Sequence, residues 1–202
     1  MGIMLPDIVD QALGLVGVDW PNVDEDACCR SSASRPFDQK GMRIVPVLKS
    51  PEAVDVWLSN AGWYPGRRCD DLAASEVASV LKDFRDDGGS LDVITPALEF
   101  LREHIGLVAP RHASTEDRVE FYPRLMYRGA AEDVQELADG LGKKVFPVAH
   151  DTYDGGTVLM DEDGRFFYLH HSGEYFLGND KYSAFMSYSR GYPLEQAEDY
   201  YA

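Results

Sequence analysis

Residues 144–170 read KVFPVAHDTYDGGTVLMDEDGRFFYLH, and the fold turns on them. They hold three apolar runs, Lys144–His150, Thr157–Met160 and Arg165–His170. Each run is four to seven residues long, which suits a buried strand and is short for a helix. Between them lie Asp154-Gly155-Gly156 and Asp161-Glu162-Asp163-Gly164. Aspartate bonds its own backbone in tight turns and glycine takes the left-handed conformation they need, so both segments read as hairpin turns. The stretch therefore predicts an antiparallel meander, and Glu174–Leu177 extends it by one further strand.

Upstream the apolar period changes from strand-like to helical. Ser50-Pro51 opens a helix running to Asn60 and stopped by Gly62, with Val54, Trp57 and Leu58 on its buried face. A second runs from Leu72 to Phe84 and breaks at Asp86-Asp87-Gly88-Gly89; a third is capped by Thr95-Pro96 and ends at Ile105. Arg118–Tyr122 alternates in strand fashion, and a fourth helix covers Ala131–Leu141. Past the meander, Asn179 caps a last helix carrying Tyr182, Phe185, Met186 and Tyr188 and ended by Gly191. Helices first and hairpin-linked strands later define an α+β class. The expected core contains Trp57, Trp63, Val80, Leu81, Phe84, Leu98 and Leu101.

The front of the chain reads differently. Leu5–Val16 is an amphipathic helix with Pro6 in its first turn, and Gly17 stops it. Residues 18–41 form a polar loop, and Arg43–Leu48 an edge-like strand, because Pro46 cannot donate to a ladder. The division is 1–41 as N-terminal helix and linker, and 42–202 as the domain proper.

Charge bounds the partners. Thirty-five acidic against nineteen basic residues leave a net charge of −16. Such a field repels nucleic acid and anionic membranes and steers a basic protein inward; solubility and turn-building account for part of it. No apolar run reaches the roughly 18 residues of a membrane span. The start carries Asp7 and Asp10 and no basic region, so it does not read as a secretory signal. Three cysteines, Cys28, Cys29 and Cys69, make no disulfide framework, and a reducing cytoplasm is the expected compartment. Cys69 follows Arg67-Arg68, but a plain buried or half-buried cysteine outweighs a reactive thiol there.

Chemistry-bearing constellations are sparse. Nucleophile elbows, phosphate-binding glycine loops and zincin helices are missing, and no cofactor is expected. His150, Asp151, His170 and His171 are the candidates for a metal or acid–base site. A metal needs three or four convergent ligands, and His170 and His171 point to opposite faces of any shared strand, so strand-face histidines outweigh a site. The likelier function is binding. Asp151, Tyr153 and Asp154 on one loop, with Glu174 and Tyr175 after the next hairpin, are the candidate partner contacts. Tyrosine supplies contact area at low entropic cost and the acids complement lysine and arginine.

Ala61-Gly62-Trp63-Tyr64-Pro65-Gly66-Arg67, Leu141-Gly142 before Val145-Phe146-Pro147-Val148, and Leu159-Met160-Asp161-Glu162-Asp163-Gly164-Arg165-Phe166 carry a resemblance in their order and spacing. Over residues 43–191 the chain resembles the SUKH superfamily, and within it the third subfamily, with AGW-x-PGR near the front, then a PVG-like strand and DE-x-GR near the back. Ala149-His150 departs from the glycine usual after the Pro-Val pair. The resemblance implies a curved antiparallel sheet flanked by helices. It also implies an immunity protein that binds and neutralises a polymorphic toxin, often a nuclease or nucleic-acid deaminase, with no catalytic residues. Ile3–Asp26 resembles, in its first helix only, the opening of the helical-hairpin modules of secreted actinobacterial toxins; a family-specific extension is the alternative reading. Two other functions stay open: a protein-binding adaptor without a toxin partner, and a metal-dependent hydrolase using His150, His170 and Asp151. Nothing in the sequence sets the oligomeric state.

Overall fold

The computed structural model describes residues 47–110, 117–191 and 194–202. The Leu5–Val16 helix, the 18–41 loop, residues 43–46 of the expected first strand and the boundary at 41 lie outside them. Val47 and Leu48 are described and form no strand.

Three helices come first: α1 (Pro51–Asn60), α2 (Asp70–Asp86) and α3 (Thr95–His104). Strands β1 (Val108–Pro110) and β2 (Arg118–Glu120) follow, then helix α4 (Ala130–Leu141). Next come β3 (Val145–Asp151), β4 (Thr157–Asp161), β5 (Phe166–His170) and β6 (Gly173–Gly178), helix α5 (Lys181–Arg190), β7 (Glu195–Gln196) and a 3-10 turn, Ala197–Tyr200. The seven strands form one antiparallel sheet in strict chain order. The class is α+β, as the sequence predicts.

Every residue of β3, β4 and β5 is buried, so this sheet is covered on both faces. Alternation along β5 separates the two sides. Phe166 meets Phe100 of α3 and Phe185 of α5, and Tyr168 meets Tyr188 of α5. Trp57 of α1 joins the same layer through Phe121 and Phe185, and its indole donates to the Pro110 carbonyl (2.9 Å). On the opposite side Phe167 packs on Phe176, which stacks on Tyr200, and α4 buries Val134, Leu137 and Leu141. The last residues lie on α4. Ala202 donates its N–H to the Gly140 carbonyl, and a Cβ at 140 would sit 2.6 Å from the Tyr201 ring, so a larger residue there would displace that ring.

Pro147 is tolerated because β2 pairs with only His150 and Asp151 of β3, and because a bulge follows between Pro147 and Ala149. A second register shift lies at Phe166/Phe167. Both hairpin turns are held by an aspartate. Asp161, fully buried, accepts from the N–H groups of Asp163 (3.0 Å) and Arg165 (2.8 Å) and from Arg165 Nε (2.7 Å). Asp151, equally buried, accepts from the Tyr153 N–H (2.9 Å) and the Tyr168 hydroxyl (3.1 Å).

The front motif is structural as well. Ser50 caps α1 through its side chain. After that helix, Arg67 turns back and donates to the carbonyls of Glu103 and Ile105, both at 2.7 Å. These are orphan carbonyls at the end of α3, which a guanidinium satisfies while opposing the helix dipole. Of the expected core, Trp57, Val80, Phe84 and Leu101 are buried, while Trp63, Leu81 and Leu98 pack against it half-buried. Two caps differ from expectation. Thr95 is already inside α3, with Ile94 at the N-cap, and Asp180 rather than Asn179 caps α5, accepting from the Ser183 N–H (2.8 Å). Cys69 is buried and disulfide-bonded, which corrects the expectation of a free thiol.

His104 is 1% exposed and stacks on Phe100. Burial holds its imidazole down to about 3; the bond to the Phe100 carbonyl opposes this, and Lys181 and Arg67 add to it. Unfolded, it titrates near 6.5, so between these values the unfolded chain binds a proton that the folded one does not. Stability therefore falls as pH drops from 6.5 towards 3, by up to about 1.4 kcal/mol per pH unit from this group. Urea unfolding at pH 7 and pH 5 should show that loss, and His104→Phe should flatten it.

Candidate partner-binding surface

The fold brings the β3–β4 loop and the β5–β6 turn to the same end of the sheet. His170 links them: its Nε2 donates to the Asp154 carbonyl (3.1 Å) and its Nδ1 accepts from the Ser172 hydroxyl (2.8 Å). The five candidate contacts divide at this end. Tyr153 is 63% exposed, and Asp154 and Glu174 are half-buried. Asp151 and Tyr175 are 0% and 7% exposed, and their side chains do not form the surface. Asp151 is drawn inward by the Tyr168 hydroxyl, and Tyr175 packs against the core with its hydroxyl on Ser172. The sequence misses this because aspartate at a turn and tyrosine in a strand look alike whichever way they point.

Many of the acids are engaged within the fold. Asp70 pairs with Arg68 and Arg102 (both 3.0 Å), Asp86 with Lys82 (2.6 Å) and Asp92 with Lys144 (2.9 Å). Asp87 accepts from the N–H groups of Gly129 and Ala131 at the start of α4, which hold its carboxyl below the usual range. Among the acids with no ion-pair partner in the described residues are Asp133 and Glu136 on α4, Glu174 on β6 and Glu198 in the 3-10 turn. Burial, then the charges of Glu136, Asp133 and Glu198, raise the Glu174 carboxyl, against a bond from the Tyr201 hydroxyl that lowers it. Tyr127 donates similarly to Asp133. Tyr127 and Tyr201 are both partly exposed and bracket these carboxylates. The C-terminal part of this acidic flank has no signal in the sequence, since Glu198 and Tyr201 reach it only through the docking of the last turn on α4.

His150 is held apart from His170 and His171, whose own rings are in contact with centres 3.8 Å apart. His150 lies against Glu120 Oε2 (3.4 Å) and the Tyr122 carbonyl (3.4 Å), and burial lowers its imidazole below its ordinary value. His170 belongs to β5, with β4 between it and β3. Among the described residues no group of three or more His, Cys, Asp or Glu is arranged to hold a metal ion. No helix among them is long and apolar enough to cross a membrane.

These features define a class: an α+β domain built on one antiparallel sheet covered on both faces, with an acidic, tyrosine-bearing flank. The model of the SUKH-3 immunity protein family matches residues 50–191, and the chain belongs to that family. No curated protein and no solved structure matches it. The match covers the AGWYPGR turn and both aspartate-held hairpins.

Two substitutions separate scaffold from surface. Asp151→Ala strips a buried hydroxyl and an N–H of their acceptor and should cost about 2–4 kcal/mol in denaturant unfolding. Tyr153→Ala, at an exposed side chain, should cost under about 1 kcal/mol.

Proposed function

We propose that this protein neutralises a cognate toxin by direct binding, and that the toxin is a basic nucleic-acid-directed enzyme, a nuclease or deaminase. The observation that carries the reading is membership of an immunity family in a chain with a net charge of −16. An enzyme acting on nucleic acid must attract phosphate and so presents lysine and arginine. An acidic partner complements that surface and competes for it. The contact surface we propose comprises Tyr153, Asp154 and Glu174, extended across Tyr201 and the α4 carboxylates Asp133 and Glu136. The immunity domain we propose spans residues 42–202, after a separate N-terminal segment, 1–41.

Neutralising an intracellular toxin places the protein in the cytoplasm, where thiols are kept reduced. Thiol counting on protein denatured directly from cytoplasmic extract tests that placement. If the Cys69 disulfide persists, one free thiol of three remains, which marks an oxidising compartment; three free thiols, with that bond reduced, fit cytoplasmic residence.

The functional test is co-expression with the toxin encoded beside it, followed by survival and binding kinetics. Protection and a stable complex are expected, with an association rate that falls between low and physiological salt while dissociation changes less. Tyr153→Ala should accelerate dissociation, by about 1–3 kcal/mol if it is a central anchor. Absence of both binding and protection would sink the immunity reading. Protection that survives Tyr153→Ala, Asp154→Asn and Glu174→Gln together would move the contact surface elsewhere.

A further inference from the structure

Trp63 Nε1 and His104 Nε2 are buried polar atoms with no hydrogen-bond partner among the described residues. They lie in one corner of the fold, where the turn after α1 meets the end of α3 and the start of α5. Lys181 covers this corner, with its ammonium 4.4 Å from the centre of the Trp63 ring. Buried polar groups in native proteins are met by protein or by ordered water, and an orphan is destabilising.

The two atoms are complementary. His104 Nδ1 lies 2.9 Å from the Phe100 carbonyl, which can only accept, so Nδ1 carries the proton. With the ring neutral, Nε2 is a bare acceptor. The Trp63 indole N–H is a donor and nothing else. They do not bond to each other. The two rings are inclined by 10°, with centres 6.1 Å apart. An aromatic nitrogen bonds in the plane of its ring, so a group that joins the two must accept at one ring edge and donate at the other.

Neighbouring side chains do not fill that role. The Arg67 guanidinium donates to the Glu103 and Ile105 carbonyls, and Lys181 sits over the ring face rather than in its plane. A metal on Nε2 lacks companion ligands among the described residues. Water accepts in one direction and donates in another at a roughly tetrahedral angle, and it is small enough for a packed corner.

We propose that one buried water molecule bridges the Trp63 indole N–H and His104 Nε2, tying the AGWYPGR turn to the end of α3. Arg67 joins the same two segments through its carbonyl bonds, so the turn is fastened twice, once by a cation and once by solvent.

The test uses the full chain labelled with nitrogen-15 at pH 7. Rotating-frame cross-relaxation separates a bound water from hydrogen exchange by the sign of the cross-peak. The Trp63 indole proton should show a direct cross-peak to water, and His104 should show the nitrogen shifts of the Nδ1–H tautomer. His104→Phe keeps the stacking surface and removes the acceptor, so the cross-peak should be lost while the amide spectrum stays dispersed. A wild-type indole without the cross-peak, an Nε2–H tautomer, or a cross-peak unchanged in His104→Phe would each overturn the proposal. Should His104→Phe fail to fold, the two wild-type measurements decide alone.

Discussion

Three central strands buried on both faces must reverse direction twice without leaving backbone groups unpaired, and two aspartates make this possible. Asp161 gathers two backbone N–H groups and the side chain of Arg165; Asp151 gathers one N–H and the Tyr168 hydroxyl. A buried carboxylate is costly unless hydrogen-bonded, and here each bonds the chain that makes its turn. The register of β3, β4 and β5 follows from these turns, and the side chains presented to the helices follow from the register. Gly156 completes the arrangement, since a Cβ there would lie 2.2 Å from the Tyr168 ring that reaches Asp151.

The family motifs are read best in this light. Asp161 to Arg165 forms the hairpin, Pro147 marks the bulged strand, and Arg67 closes α3. None of these side chains lies on the acidic flank. In this chain the motif side chains hold turns and helix ends in place. Trp63 is the intermediate case, half-buried and beneath Lys181, with its indole nitrogen turned inward.

Much of the fold was legible because its signals are local. Hairpin turns carry Asp-Gly pairs, and the helices of α1 and α4 carry both period and stop. What escaped was short or non-local. The three residues of β1 and two of β7 are too few to show a period, and the 3-10 turn after them is defined by its docking on α4. Asn179 and Asp180 are equally good capping types, and only the backbone decides between them. At the candidate surface, residue type offered Asp151, Tyr153, Asp154, Glu174 and Tyr175 alike. It could not say that Asp151 and Tyr175 turn inward, because that depends on the Tyr168 and Ser172 hydroxyls they find there.

The sheet runs in strict chain order, so each strand can pair with its predecessor as soon as both exist. The helical layer is organised the other way. Trp57 of α1 packs at a tilt on Phe185 of α5, and the Leu48 N–H reaches the Ser189 hydroxyl across 141 positions of sequence. The earliest described helix therefore waits for the latest, and this large loop closes at an entropic cost the hairpins avoid. A chain shortened before α5 retains the β3–β6 hairpins but loses β7 and leaves Trp57 of α1 open to other chains, so its hazard is aggregation rather than mere weakness.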